Sequence, residues 1–281
     1  MASATGIPER VSSEEAIAHN GAEQEEAVAH NGAETEPLLG KPGDAMLPAT
    51  ASIMQSYFIG TGIVAELGII ILCLNIWAHI WMNPVIFFSG HPIAMTIALF
   101  ILVQSILTLQ PISTSRQKRL GQYIHASLNL VAFAGLVTGA VIIEVNKVRG
   151  RGPHFHSLHA YVGVITLLLI TGQYLVGFTM WATPGLYGGV DNAKKLYKYH
   201  RYGGYVVLVL LLTAVCTAMK TDYVVGVLGI GVWGVVVSAV LVLVGVLPRI
   251  QKQKLGLGVR RSVRADEREG ASPEAEGGVF R

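Results

Sequence analysis

The chain has 281 residues, 52% of them hydrophobic and only 14% charged, with a mean hydropathy of +0.50. Soluble domains carry about 25% charged residues, so this composition excludes an ordinary soluble enzyme, gives no sign of a nucleic-acid partner, and places the chain in the lipid bilayer. The formal net charge of +3 hides an asymmetry, because residues 1–57 hold nine acids against two bases (Arg10 and Lys41), while the last 33 residues open with a basic run.

Residues 1–50 read as a disordered acidic tail, polar and too poor in large apolar groups to build a core. An eleven-residue repeat runs through it, EEAIAHNGAEQ at 14–24 and EEAVAHNGAET at 25–35. His19 and His30 recur in that repeat and are read as glutamate-rich low complexity rather than a metal site. Glu34, Leu38 and Leu39 follow in E-T-E-P-L-L, which resembles an acidic dileucine sorting signal of the kind read by adaptor complexes on endosomal and vacuolar membranes. No secretory signal peptide is expected, since the start lacks a charged-then-apolar pattern and a small-residue cleavage site.

Six apolar stretches come next, near 58–80, 91–110, 123–144, 157–181, 202–219 and 224–248. Each approaches the ~20 residues needed to cross ~30 Å of hydrocarbon as a helix. The expected fold is an all-α membrane protein, an up-and-down six-helix bundle over 51–248, because lipid tolerates only helices or closed barrels. Residues 249–281 form a second tail, basic and then acidic. Lysine and arginine near the spans set orientation: with a cytosolic N-terminus the inside collects 14 of them and the outside 4. Both termini are therefore expected in the cytosol. Cys73 and Cys216 lie inside apolar spans and are expected to remain free.

Four histidines, His91, His125, His159 and His200, stand at or close to the starts of the second to fifth spans. An ionisable side chain inside lipid is costly and faces the bundle interior or a cavity, so each marks a site. Helix direction puts His91 and His159 near one face and His125 and His200 near the other. Two imidazoles reaching from facing helices at equal depth hold a haem iron, so the expected pairs are His91 with His159 and His125 with His200. Small neighbours (Ala94, Gly163, Gly203 and Gly204) suit a broad flat macrocycle beside these rings, and Ala126 and Asn129 follow His125. Partial positive charge at the helix starts would favour the propionates. His79, beside Trp77 and Trp81, reads as part of an interfacial belt. His154 and His156 precede His159 in the third loop, where they are candidate contacts for a non-cytosolic electron acceptor. The competing class is a haem-free, histidine-lined metal or proton transporter, which calls for acids spread through the membrane; the spans offer Glu66 and Glu144.

The stretches H91-P-I-A-M, Y-I-H125-A-S-L-N129, S157-L-H159-A-Y-V-G163, Q173-Y-L-V-G177-F178 and Y199-H200-R-Y-G-G closely resemble the cytochrome b561 family of six-span, two-haem oxidoreductases. The resemblance covers roughly residues 55–248. It implies two haem b groups with these four histidines as axial ligands. It also implies an ascorbate-dependent oxidoreductase that moves electrons from cytosolic ascorbate to a far-side acceptor such as a ferric chelate or monodehydroascorbate. A homodimer is implied as well, while the Glu34/Leu38/Leu39 motif points to a vacuolar, endosomal or other secretory-pathway membrane. Basic groups hold the anionic donor in the family; here Lys118 lies seven residues before His125, Gln122 stands where a second lysine is expected, and the fourth loop offers Lys194, Lys195 and Lys198.

Overall fold

A computed structural model describes residues 46–251. The acidic repeat, the Glu34/Leu38/Leu39 motif and most of the C-terminal tail lie outside the described residues. Six helices are long and apolar enough to cross a membrane. They are α1 (Gly62–Trp81), α2 (Gly90–Leu109, preceded by a 3-10 turn from Phe87), α3 (Ser115–Gly150), α4 (Leu158–Ala182), α5 (Val190–Ala218) and α6 (Val232–Val246, continued to Arg249 by a 3-10 turn). Large side chains such as Leu67 and Leu74 on α1, Leu168 and Leu175 on α4, and Val237 and Val244 on α6 are exposed, as side chains solvated by lipid are.

Two helices begin well before the apolar stretches do. α3 starts at Ser115 rather than near 123, and α5 at Val190 rather than near 202. Their first turns are built of Arg, Gln, Lys and Tyr, which form helix readily but carry no hydropathy signal. Thr114 opens α3 with a capping box: its side chain accepts from the Gln117 backbone N–H at 3.3 Å, and Gln117 Oε1 accepts from the Thr114 N–H at 3.4 Å. Gly188 and Gly189, at φ of +78° and +111°, make the reversal that launches α5. α6 starts later than expected because Val224–Leu228 wind into a single π turn, ended by Gly229 at φ +63°.

These shifts correct one expectation. His91 and His159 sit in the first turns of α2 and α4, but His125 and His200 lie ten residues inside α3 and α5. The positive end of a helix acts only over its first turn, so it would favour an anionic group beside the first two histidines and not beside the second two.

The helices pair as antiparallel hairpins, α2 lying along α3 and α4 along α5, while α1 packs along α6. The α1–α6 contact is close enough that a Cβ added at Gly68 would collide with the backbone of Ser238 and Val242, and one at Gly245 with Ala65. The main core joins α1 (Ile69, Leu72), α2 (Leu99, Val103), α5 (Leu208) and α6 (Val235, Val242). A separate cluster of Ala98, Leu102, Ala132, Leu136, Ile170 and Val207 draws one or two side chains from each of α2, α3, α4 and α5. In sequence each of these lies between the two histidine levels of its helix, so an apolar plug fills the middle of the four-helix unit.

Candidate functional site

The rings of His91 and His159 lie 6.2 Å apart, centre to centre, at 82°. Those of His125 and His200 lie 6.3 Å apart, also at 82°. Each pair joins one hairpin to the other, α2 to α4 in the first and α3 to α5 in the second. Each ring is also braced by its own hairpin partner. His91 Nδ1 donates to the Gly139 carbonyl on α3 at 2.8 Å, and His159 Nδ1 to the Ala214 carbonyl on α5 at 2.8 Å. A carbonyl only accepts, so both Nδ1 atoms carry the proton and both Nε2 lone pairs are left free.

His125 Nδ1 meets Ser105 Oγ at 2.7 Å and the Ser105 carbonyl at 3.2 Å, which likewise places its proton on Nδ1. Asn129 Nδ2 in turn donates to Ser105 Oγ at 2.5 Å and to the His125 carbonyl at 2.7 Å. Asn129 is thus an orienting group for the ligand candidate, not a space-maker. The His200 ring is held by packing: a Cβ added at Gly177 would lie 2.8 Å from its Cε1.

The two levels share a spacing. His91 and Ser105 on α2, His125 and Gly139 on α3, and His200 and Ala214 on α5 are each fourteen residues apart. One member of each couple belongs to each level. At a rise of about 1.5 Å per residue the levels are ~21 Å apart along the helices.

These residues fit a haem. An iron bonded to two imidazoles at about 2 Å, the distance typical of imidazole on a first-row metal, puts the ring centres roughly 6 Å apart; both pairs stand at that distance, and His91, His159 and His125 keep their Nε2 atoms free. A Cβ added at Gly163, one turn past His159, or at Gly204, one turn past His200, would meet nothing within 4 Å, so both positions leave room for a flat ring. Gly203 serves differently, since a Cβ there would strike the Gln173 side chain on α4; it is a helix-packing glycine. Among the described residues no group of three or more His, Cys, Asp or Glu side chains converges as a bare metal site would require. Glu66 Oε2 accepts from Gln104 Nε2 at 2.8 Å.

The remaining candidates divide between the two ends of the bundle. Lys118, partly buried, and the exposed Lys194, Lys195 and Lys198 occupy the N-terminal turns of α3 and α5, at the His125/His200 end. Lys194 Nζ lies 3.2 Å from Asp191, Lys195 Nζ donates to Asn192 at 2.8 Å, and the Lys198 ammonium sits 4.8 Å from the Tyr199 ring centre. At the opposite end His154 lies 3.6 Å from Glu144, and His156 Nδ1 donates to the Pro153 carbonyl at 3.0 Å. His156 also lines a shallow cleft of about 400 Å³ with Phe88, Lys147 and Tyr223; His154 does not line it. Phe88, which no sequence signal marked, stacks on His91 at 5.6 Å and carries Tyr223 edge-on at 4.7 Å. His79 Nδ1 is tied to the Asn75 carbonyl within its own helix at 2.8 Å.

Residues 90–225 match the family model described as eukaryotic cytochrome b561. That region belongs to the cytochrome b561 family. It takes in α2 to α5 and all four paired histidines, and leaves α1 and α6 outside. The chain is similar to a lysosomal membrane ascorbate-dependent ferrireductase of Mus musculus, 26% identical over 142 residues, half of this chain and 58% of the relative. It is also similar to a plasma membrane ascorbate-dependent reductase of Rattus norvegicus, 32% identical over 114 residues, 38% of this chain and 39% of the relative. A transmembrane ascorbate-dependent reductase of Ovis aries is 30% identical over 99 residues, 35% of this chain and 39% of the relative. The chain thus spans from 39% to 58% of the length of these relatives.

Proposed function

We propose that the chain moves electrons across a membrane, from cytosolic ascorbate to a non-cytosolic acceptor such as a ferric chelate or monodehydroascorbate. The observation that carries this reading is the pair of histidine levels, alike in ring separation and angle, at the two ends of one four-helix unit. His91 and His159 would hold one haem b and His125 and His200 the other, and the haems when bound would supply the one-electron redox chemistry. The protein's own share is positioning. The Gly139 and Ala214 carbonyls and the Ser105–Asn129 pair fix the imidazoles in the tautomer that leaves Nε2 free. The apolar plug between the levels keeps water out of the middle of the bundle.

Lys118, Lys194, Lys195 and Lys198 hold the anionic donor by charge and raise its encounter rate. Excess lysine and arginine on this side supports its being cytosolic, with both termini there. The ascorbate-dependent reductases among the relatives support the choice of donor. At the other end, the cleft beside Phe88 and His156 receives the acceptor. The names of the relatives include lysosomal and plasma membranes, and the Glu34/Leu38/Leu39 motif favours the endosomal or vacuolar address through an adaptor complex.

The test is a reduced-minus-oxidised visible spectrum of the purified chain with haem quantified per polypeptide. About two haems per chain are expected, with His91→Leu and His125→Leu each removing about one. A colourless preparation from cofactor-replete cells, or a variant of either histidine that keeps both haems, overturns the reading.

A further inference from the structure

We infer that the acidic segment 1–45 is an internal competitor of the anionic electron donor, seated on the basic mouth formed by the starts of α3 and α5. This rests on the reading of that mouth as the donor site.

The first observation is where the chain enters the fold. Leu47 is 1% exposed, packed with Ile53 and Ile112 in a small core that also touches Ile124 of α3. Its N–H donates to the Pro111 carbonyl at 2.9 Å, and the Pro48 carbonyl accepts from Gln117 Nε2 at 2.7 Å. Gln117 is the neighbour of Lys118. The same side chain therefore caps α3 and fastens the entering segment beside the candidate donor lysine. Leu47 and Pro48 are thereby held at the edge of the mouth.

The second observation is charge. Residues 1–45 contain nine acids and two bases. The mouth offers Arg116, Lys118 and Arg119 on α3, and Lys194, Lys195, Lys198 and Arg201 on α5. Arg201 stands near enough to Lys118 for their charges to interact, so α3 and α5 bring positive charge together at this end of the bundle. Asp191 is the acid facing it from α5.

The third is reach. Asp44 is three residues from Leu47, and Glu36 and Glu34 are eleven and thirteen. A chain spans at most ~3.6 Å per residue, so these acids can extend ~10 to ~45 Å from the anchor, enough to lie across the mouth. Tethering makes the contact intramolecular and raises its effective concentration. A small anionic donor must then displace a covalently attached polyanion from the same lysines.

The test compares the full haem-loaded chain with a form lacking residues 1–44, both in nanodiscs, following haem reduction after mixing with ascorbate at low salt. Deletion is expected to lower the half-saturating ascorbate concentration about fivefold, with the saturating rate unchanged. The difference should vanish in about 1 M salt, where charges are screened beyond roughly 3 Å. A labelled synthetic peptide of residues 1–44 should bind the truncated chain by fluorescence anisotropy, with ascorbate as a competitor. Exchanging the nine acids for amides in the full chain should reproduce the deletion. Equal half-saturation in the two forms at low salt, or a peptide that does not bind, overturns the inference. If ascorbate reduces both forms alike, and K118A raises the half-saturating concentration in both, the donor reading stands and only the competitor falls. If dithionite reduces the haems and ascorbate does not, the donor reading falls and takes this one with it.

Discussion

Two glycines beside the histidines look interchangeable in sequence and are not. A Cβ at Gly139 would lie 2.9 Å from the terminal methyl of Met95, the end of a long, flexible side chain that can move aside. A Cβ at Gly177 would lie 2.8 Å from Cε1 of His200, a ring with no freedom to retreat if it is to keep its partner. Gly139→Ala should therefore retain both haems, and Gly177→Ala should lose most of the one at the His125/His200 level, read as haem per chain. Ser105→Ala is expected to be milder. The Ser105 carbonyl already stands 3.2 Å from His125 Nδ1 and can take over its proton, so the cost is about 1 kcal/mol, one hydrogen bond. Thermal release of haem should be slightly earlier at that level and unchanged at the other. Asn129→Leu removes the amide that holds Ser105 and should add to the effect of Ser105→Ala by less than its own amount, because the two act through one contact.

At the scale of elements, α1 and α6 stand apart from the histidines and meet through small residues. Gly245→Leu would drive a side chain into Ala65, with a strain of about 1–3 kcal/mol. It should lower the melting temperature of the detergent-solubilised chain and leave the visible spectrum intact, since α2 to α5 carry all four rings. The helices themselves were largely legible: apolar stretches of membrane length fixed their number and order. Their starts were not. Thr114 and Gln117 spell a capping box that could have placed the start of α3, but a hydropathy window passes over it. The extension of α5 to Val190 had no comparable signal beyond Gly188-Gly189. The braces on His91 and His159 were beyond sequence reasoning altogether, because backbone carbonyls of Gly139 and Ala214 have no residue identity to read. Phe88 was missed for a related reason, since one loop aromatic among several exposed apolar side chains carries no pattern.

For the whole molecule, the charge asymmetry across the bundle makes a topological prediction. A glycosylation acceptor inserted in the loop between α1 and α2 should be modified in the secretory pathway, and one inserted between α4 and α5 should not. The reverse pattern would place the lysines of α5 on the wrong side for a cytosolic donor. The fourteen-residue interval repeated on α2, α3 and α5 carries a stricter demand. It is nearly a whole number of helical turns, so each helix serves both ends of the bundle from almost the same side. One alanine inserted between Leu99 and Phe100 would swing everything beyond it by about 100°. Then α2 could present His91 to α4 or Ser105 to His125, but not both, and the protein should either lose the haem at the His91/His159 level or release the one at the His125/His200 level at lower temperature. A seven-residue insertion restores the phase but stretches α2 by ~10 Å against unlengthened partners. The architecture behaves like a pair of gears on common shafts: either end can be altered only by retiming the other.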